Sequence, residues 1–244
     1  MRQILIPALT ALLLTGCVDQ PATTPRPAAP VASADMGQAS ARYARVTARV
    51  EPVAEQICRS FHQDKPASFC DFQFALREDP NEPANAFQSI GKDGRPLITF
   101  NSNMLKQVQN DDELAFVMAH EAGHQTAAHL IKSRNNQILG GAVLGLLVGL
   151  GGGDTRVGVN LGTRIGGLAY SKKYELQADT IAVHITDRAG YDAERGVKEL
   201  ARTGGSNSFL STHPASAERV ANAQAVLADI RRAKSQGRRA PIVW

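Results

Sequence analysis

The spacing of apolar residues predicts a chain built mainly of helices, with a short sheet near its middle. Apolar positions recur on one face of a helix from about Ala41 to His62. Two short apolar runs, FQFAL (72–76) and PLITF (96–100), are typical of strands, and turn-forming sequence such as GKDGRP lies between them. This order of elements indicates an α+β fold that is predominantly helical.

A buried helix is predicted in the segment NDDELAFVMAHEAGHQTAAHLIK, from about Asp111 to Lys132. Asn110 precedes it and Glu113 follows three residues later, which is the spacing of a capping box. The acidic residues of the first turn suit the positive end of the helix dipole. Because the helix is apolar nearly all round, we expect it to lie inside the domain.

The segment ILGGAVLGLLVGLGGG (138–153) is apolar and rich in glycine, but its apolar run is shorter than a membrane-spanning helix. Its small residues predict close packing of helices, and the alternatives are a movable flap or an element that touches a membrane. Further helices are predicted from about Leu168 to Ala189, from Ala193 to Arg202, and from the His213–Pro214 pair to about Arg232.

Residues 1–16 have the pattern of a secretory signal peptide, with one arginine before an apolar run from Ile4 to Leu14. The run continues into LTGC, which resembles a bacterial lipobox. Cys17 is therefore predicted to carry lipid and to anchor the mature chain to a membrane surface. Val18 after this cysteine favours the outer membrane, by resemblance to lipoprotein sorting signals.

Four prolines among Ala, Ser and Thr predict an extended tether over residues 17–38, before a domain over 39–234 and a basic tail over 235–244. The formal net charge of +4 is too small to predict nucleic-acid binding. Apart from the lipobox cysteine, the chain contains Cys58 and Cys70, twelve positions apart. In an oxidising periplasm we expect these two to form a disulfide.

Three histidines lie close together in the stretch HEAGHQTAAH of the buried helix. Successive helical residues are about 100° apart, so His124 lies about 40° around the axis from His120 and one turn along. Both imidazoles can therefore reach one ion, whereas His129 falls about 180° from His120 and is expected to be a surface or packing residue. Glu121 completes the H-E-x-x-H motif of zinc peptidases, in which the glutamate is the general base.

A third protein ligand has to come from elsewhere in the chain. The longer zinc motif requires glycine and histidine where this sequence has Ala127 and Leu130. The open candidates are His62, His184, His213 and carboxylates that include Glu175. Glu175 and Asp179 are spaced i, i+4 in YELQADTIAVH, so one can bind a metal while the other accepts a hydrogen bond from a ligand histidine.

The combination of HEAGH, ELQAD about fifty residues later, and STHP with a following arginine resembles one family of zinc endopeptidases. That family includes the CAAX prenyl endopeptidase and the bacterial heat-shock protease HtpX, and the lipobox places this chain nearer its periplasmic lipoprotein branch. The resemblance covers roughly residues 80–225. It implies one zinc ion per chain, with the ligands His120, His124 and Glu175.

The resemblance also implies Glu121 as the general base. It implies that Asp179 accepts a hydrogen bond from a ligand histidine without binding the metal itself. The implied fold is zincin-like, with a small β-sheet and two helices that carry the site. Two residues of HPASAER, His213 and Arg219, are candidates for stabilising the oxyanion of the transition state. Alternatively, His213 occupies the fourth zinc position and keeps the enzyme latent. A third interpretation is that the His213–Pro214 pair only marks the start of a helix, because proline suits the first helical turn.

These residues predict a zinc-dependent endopeptidase that acts on unfolded or misfolded envelope proteins, as an outer-membrane lipoprotein that faces the periplasm. Such an enzyme needs an extended substrate, and PLITF is either an edge strand that pairs with it or a strand buried in the sheet. The alternative is a periplasmic assembly factor or holdase with a latent or structural zinc site. A structural zinc would not need Glu121, because Glu121 is not a ligand.

Overall fold

The computed structural model describes residues 31–160, 172–201, 213–214 and 216–244. The predicted signal peptide, the lipobox Cys17 and the proline-rich part of the predicted tether lie outside the described residues. The compact unit that contains the helices and the sheet spans Ala32–Trp244. In the described ranges, no helix is both long enough and apolar enough to cross a membrane.

Helices dominate the described chain, as the apolar spacing predicted. The first helix begins at Val31, so residues 31–38 are helical rather than extended, and that part of the predicted tether is wrong. The four prolines of the predicted tether all precede Val31, so none of them interrupts the start of this helix. The helices are α1 (Val31–Phe61), α2 (Ser102–Gln107), α3 (Asp111–Thr126), α4 (His129–Leu150), α5 (Lys172–Arg188), α6 (Ala193–Ala201) and α7 (Ala217–Ser235), with a short 3-10 helix at Ala67–Cys70.

The strands form a mixed three-stranded sheet in the order β1-β3-β2. β1 (Gln73–Arg77) pairs with β3 (Pro96–Asn101) in parallel, and β2 (Ala86–Ile90) pairs with β3 antiparallel. The two predicted strands are confirmed to within one residue, but β2 was not predicted. PLITF belongs to the central strand, so within the described part of the chain the edges of the sheet are β1 and β2.

α3 lies at the centre of the domain, with 14 of its 16 residues buried, which confirms the prediction of an enclosed helix. It packs along α5 and also contacts α6 and β2. α3 and α5 approach most closely at Gly123, where a Cβ atom would lie 2.8 Å from the backbone oxygen of Ala178. The glycine therefore allows the close spacing of the two helices that carry the predicted site residues.

The two ends of α3 differ in how well the sequence predicted them. The Asn110 side chain accepts a hydrogen bond of 3.0 Å from the backbone N–H of Glu113, which confirms the predicted cap. The predicted continuation to Lys132 is wrong, because α3 ends at Thr126 and Ala128 has a left-handed backbone with φ of 56°. That conformation costs an alanine about 1–2 kcal/mol, so tertiary contacts of the following segment must offset it.

A disulfide joins Cys58 of α1 to Cys70 of the 3-10 helix, as predicted. Both cysteines are buried. Closing a loop of this length stabilises the fold by roughly 2–3 kcal/mol in the chain-entropy model. The bond ties the end of α1 to the segment that enters β1.

The glycine-rich segment forms the second half of α4 and packs against the helical residues 155–160. A Cβ atom at Gly145 would lie 2.6 Å from a methyl carbon of Val159, so the packing requires the small residue. This confirms the predicted close packing. Several large apolar side chains of α4 remain exposed, including Ile138, Leu139, Leu146, Leu147 and Leu150.

Candidate metal centre

Two imidazoles and one carboxylate meet between α3 and α5. The Nε2 atoms of His120 and His124 are 3.0 Å apart, one helical turn from each other. Glu175 places Oε2 3.3 Å from His120 Nε2 and Oε1 3.4 Å from His124 Nε2. All three side chains are buried. The structure therefore brings together the three residues that the resemblance implied as ligands.

His213 supplies a fourth donor to this group. Its Nδ1 atom lies 3.2 Å from His120 Nε2 and 3.1 Å from Glu175 Oε1. One ligand atom from each of His120, His124, Glu175 and His213 lies within 4.8 Å of all the others. Two or three imidazoles and a carboxylate around one point are the donor types that zinc and similar divalent ions bind.

The other two histidines considered for the third ligand lie elsewhere. His62 Nε2 is 2.7 Å from the backbone oxygen of Thr126, at the end of α3. His184 is buried on α5 about one and a half turns beyond Asp179, and burial lowers its pKa to about 4. Neither residue belongs to the group of four.

The charges of the group fit a divalent cation. Burial, reinforced by the neighbouring His120, holds the pKa of His124 well below 6.5, so its ring is neutral as a metal ligand requires. Burial opposes ionisation of Glu175, but hydrogen bonds with His120 and His213 hold its pKa well below the usual value and keep it charged. With both imidazoles neutral, as metal binding requires, the two rings and the carboxylate would carry a net charge of −1 that a cation can offset.

The pKa of His120 is shifted upward, in contrast to that of His124. Burial acts to lower its pKa, but hydrogen bonds with Asp179 and Glu175 raise it to about 9. In the metal-free protein His120 therefore carries a proton on each ring nitrogen near neutral pH. A metal ion at this site has to displace the proton on Nε2, so metal binding releases a proton.

Glu121 faces the same space from α3 without joining the ligand group. Its carboxylate is buried, and among the described residues its Oε1 atom makes no hydrogen bond. His213 Nε2 is 3.4 Å from that oxygen. Burial raises the pKa of Glu121, so it takes up a proton more readily than an exposed glutamate does. These are the properties of a general base.

Asp179 lies behind His120, on the side away from the other ligand candidates. Its Oδ1 atom is 2.9 Å from His120 Nδ1, which agrees with the role that the resemblance implied for Asp179. Burial opposes ionisation, but hydrogen bonds with Arg219 and His120 lower the pKa of Asp179. The charged carboxylate fixes the ring orientation of His120 and makes Nε2 the nitrogen that faces the group.

Arg219 is buried rather than exposed, and it links α7 to the site. Its Nε and Nη2 atoms donate to the two oxygens of Asp179, and Nη1 donates to the backbone oxygen of His213 at 2.9 Å. Nη1 also lies 3.1 Å from Glu175 Oε2. The guanidinium thus holds the His213–Pro214 pair against α5. The interpretation of Pro214 as a helix start is wrong, because Ser216 caps α7 at Ala217.

Of the two roles predicted for His129, the surface role is wrong and the packing role is confirmed, because the residue is buried; it also contacts the candidate ligand His124. Its Nδ1 atom lies 3.0 Å from Nδ1 of His124, and its Nε2 atom lies 2.9 Å from Oε1 of Gln177. The ring stacks on Tyr174, with centroids 4.3 Å apart and planes inclined by 13°. Burial lowers the pKa of His129 to about 4, so the ring is neutral. The break at Ala128 removed the helical geometry on which the prediction depended.

Strand β2 is the second feature that the sequence did not predict. It is an edge of the sheet in the described part of the chain, and it packs against α3. Gln88 of β2 donates a hydrogen bond of 3.0 Å to Gln125, one residue after His124. An extended peptide that adds to this edge would therefore run beside the helix that carries Glu121.

Comparison with known proteins shows that most of the chain matches a single protein family. The sequence pattern of Peptidase family M48 matches residues 41–227. The beta-barrel assembly-enhancing protease of Escherichia coli K12 is 27% identical over 161 residues, which are 59% of this chain and 32% of that protein. The mitochondrial metalloendopeptidase OMA1 of Saccharomyces cerevisiae is 32% identical over 155 residues, 59% of this chain and 44% of that protein. The matched region is thus less than half of either relative.

Proposed function

The chain belongs to peptidase family M48, and on that premise we propose that it is a zinc-dependent endopeptidase that cleaves unfolded or misfolded proteins of the bacterial envelope. The observation that supports this most directly is the buried group of His120, His124 and Glu175 beside Oε1 of Glu121, which makes no hydrogen bond among the described residues. The small three-stranded sheet and the predominance of helix agree with the zincin-like fold that the resemblance implied.

In this proposal, His120, His124 and Glu175 hold one zinc ion. Zinc bound there supplies a Lewis acid that polarises the scissile carbonyl and makes a neighbouring water more acidic. Asp179 and Arg219 keep the His120 ring in the orientation that directs Nε2 to the ion. These two residues act on the reaction through His120, so we assign Arg219 a positioning role in place of the oxyanion role.

Glu121 performs the proton transfers. Its carboxylate takes the proton of the attacking water and delivers it to the nitrogen of the leaving amine. The raised pKa of this buried group favours holding the proton between the two steps. The 3.4 Å approach of His213 Nε2 places an imidazole beside the same oxygen, where it can influence both transfers.

The substrate is proposed to be an extended peptide that adds to the free edge of β2. That edge lies next to α3, so backbone hydrogen bonds to β2 align a peptide with Glu121. Folded proteins seldom offer a free extended segment of this kind. The geometry therefore favours unfolded or misfolded proteins as substrates.

His213 is proposed to act as a latch. Its Nδ1 atom lies among the ligand atoms, where it would occupy the fourth position that a water needs for hydrolysis once zinc is bound. Its backbone is held by Arg219 through one hydrogen bond of 2.9 Å. Withdrawal of His213 would open the fourth position to a water, whereas a role of His213 at the oxyanion is the alternative to the latch.

The proposed location is the periplasmic side of the outer membrane, with lipid on Cys17 as the anchor. The signal peptide, the lipobox and Val18 support it at the sequence level. A relative named beta-barrel assembly-enhancing protease in Escherichia coli supports a place in the bacterial envelope. Replacement of Cys17 by serine should move the chain from the outer-membrane fraction to the soluble periplasmic fraction, and unchanged fractionation would contradict the anchor.

An assembly factor or holdase is the second candidate, and the four-donor group favours it because a metal with four protein ligands lacks a place for water. Both candidates can be tested with a thermally unfolded model protein and its folded form. We expect cleavage of the unfolded form alone, loss of cleavage with a zinc chelator and recovery with added zinc. Suppressed aggregation without cleavage would instead support the holdase.

A further inference from the structure

We propose that His129 is a positioning residue of the metal centre: it accepts a hydrogen bond from His124 and so fixes the ring of that ligand. The inference rests on the proposed function only in taking His124 as a metal ligand. It assigns a role to the one histidine of HEAGHQTAAH that stands outside the ligand group.

The direction of the hydrogen bond follows from the geometry of His124. Its Nε2 atom faces His120 and Glu175, so this nitrogen must offer its lone pair to a metal. The proton of the neutral ring is then on Nδ1, which lies 3.0 Å from His129 Nδ1. His129 must therefore present an unprotonated Nδ1 as the acceptor.

Gln177 completes this arrangement on the other side of the His129 ring. With Nδ1 of His129 as the acceptor, the proton of its neutral ring is on Nε2, and the side-chain oxygen of Gln177, 2.9 Å away, accepts it. The result is a directed chain of hydrogen bonds from His124 to His129 to Gln177. Tyr174 stacks on the His129 ring and holds its plane.

The two ligand histidines are thus supported by different groups. Asp179 supports His120 with a full negative charge, whereas His129 supports His124 with a neutral ring. Three carboxylates, Glu121, Glu175 and Asp179, are already buried around the site. A neutral acceptor orients the second ligand without adding a fourth buried negative charge, which would be costly.

The fold delivers His129 through the break between α3 and α4. On one continuous helix, His129 would point away from His124 by about 140°. The left-handed backbone of Ala128 redirects the chain, and α4 then starts with His129 against His124. Tyr174 and Gln177, which contact its ring, flank the ligand Glu175 on α5. α5 therefore provides the ligand Glu175 and also the two residues that hold His129 against the ligand His124.

The test compares His129→Phe with His129→Asn. Phenylalanine keeps the ring and its stacking but removes both nitrogens, whereas asparagine keeps an acceptor oxygen near the position of Nδ1. We expect His129→Phe to weaken zinc binding by roughly 10- to 100-fold, and His129→Asn to stay within about threefold of wild type. Zinc affinity is measured by competition with a chelating dye, without substrate, and the absorption spectrum of the Co²⁺-loaded protein should shift only in His129→Phe.

Thermal unfolding of the metal-free proteins separates this role from plain packing. A packing role lowers the unfolding temperature of both variants and leaves the affinity of the folded fraction unchanged. A His129→Phe protein that binds zinc within twofold of wild type overturns the assignment, as does His129→Asn binding as weakly as His129→Phe. Should His129→Phe fail to fold, Gln177→Met decides: we expect a three- to tenfold loss of zinc affinity, and an unchanged affinity overturns the assignment.

These outcomes are distinct from failure of the proposed function. If zinc affinity depends on His129 as expected but the protein cleaves no substrate, the role of His129 stands and the proposed endopeptidase activity is contradicted. A wild-type chain that binds no zinc overturns both. His124→Ala serves as the reference for complete loss of one ligand.

Discussion

The guanidinium of Arg219 and the carboxylate of Asp179 share two hydrogen bonds of 2.7 Å each, and both groups are buried. The same carboxylate lies 2.9 Å from Nδ1 of His120. Arg219 also contacts Glu175 and the backbone of His213. This single ion pair therefore connects the last helix, α7, to three of the four residues of the candidate metal centre.

Removal of Arg219 should be strongly destabilising. Arg219→Ala leaves the buried Asp179 and Glu175 without their cation, and breaking a buried pair on one side costs about 3–5 kcal/mol. We expect a loss of that size in the free energy of unfolding of the metal-free protein, measured with urea. Arg232→Ala on the same helix is the matched control, because Arg232 pairs with Asp229 at the surface. It should cost about 1 kcal/mol or less, and equal losses for both variants would show that the buried pair has no special role.

His213→Ala tests the latch. Three ligands remain, so we expect the variant to retain one zinc ion per chain and to cleave an unfolded model protein faster than wild type does. The measurement is the initial rate of cleavage at equal zinc occupancy. An inactive variant with full zinc content would assign His213 to the transition state and contradict the latch.

Gly123→Ala tests the spacing of α3 and α5. The added methyl group would lie 2.8 Å from the backbone oxygen of Ala178, so the two helices must separate. We expect a loss of about 1–3 kcal/mol in the free energy of unfolding, together with weaker zinc binding. Gly37→Ala in α1 is the control, because a Cβ atom there meets nothing within 4 Å. That change should leave stability equal or raise it by up to about 1 kcal/mol, and similar behaviour of both variants would argue against the close approach.

His184 should make the metal-free protein less stable in acid. Burial lowers its pKa in the folded state to about 4, with Arg188 acting in the same direction and Asp187 and Asp229 against it. The unfolded chain has a pKa near 6.5 for this residue, so below that pH the unfolded state binds a proton that the folded state does not. The contribution of neutral His184 to the free energy of unfolding is therefore complete above pH 6.5 and is lost as the pH falls toward 4.

His184→Gln isolates this contribution. Relative to wild type, the variant should lose less stability between pH 7.5 and pH 5, by about 2 kcal/mol, because glutamine does not titrate. Urea unfolding at the two pH values measures the difference for both proteins. Parallel losses in wild type and variant would show that His184 is not held neutral by the fold.

The sequence was sufficient for the site residues whose positions depend on helical periodicity. His120 and His124 share one face of α3 because they are four residues apart, whatever surrounds them. The same spacing placed Glu175 and Asp179 on one side of a second helix, whereas the resemblance implied which of them is the ligand and which supports a ligand. The cap at Asn110 was likewise a local property, because its partner is three residues away.

The unpredicted features depend on tertiary contacts. Ala127 and Ala128 favour a continuing helix, and no glycine or asparagine marks the left-handed turn that brings His129 to His124. β2 is a five-residue strand whose backbone pairs with β3 in the described part of the chain, and its sequence, AFQSI, carries little signal of its own. In both cases the structure is selected by what packs against the segment.

The central claim is that Glu121 moves the proton in peptide hydrolysis beside a bound zinc ion. The most direct test measures zinc content and cleavage of an unfolded model protein for wild type and Glu121→Gln, each also in the His213→Ala background so that a latched site does not hide activity. We predict one zinc ion per chain in all four proteins, and a cleavage rate at least 100-fold lower in both proteins that carry Glu121→Gln than in their parents. Equal cleavage with and without Glu121 would contradict the account.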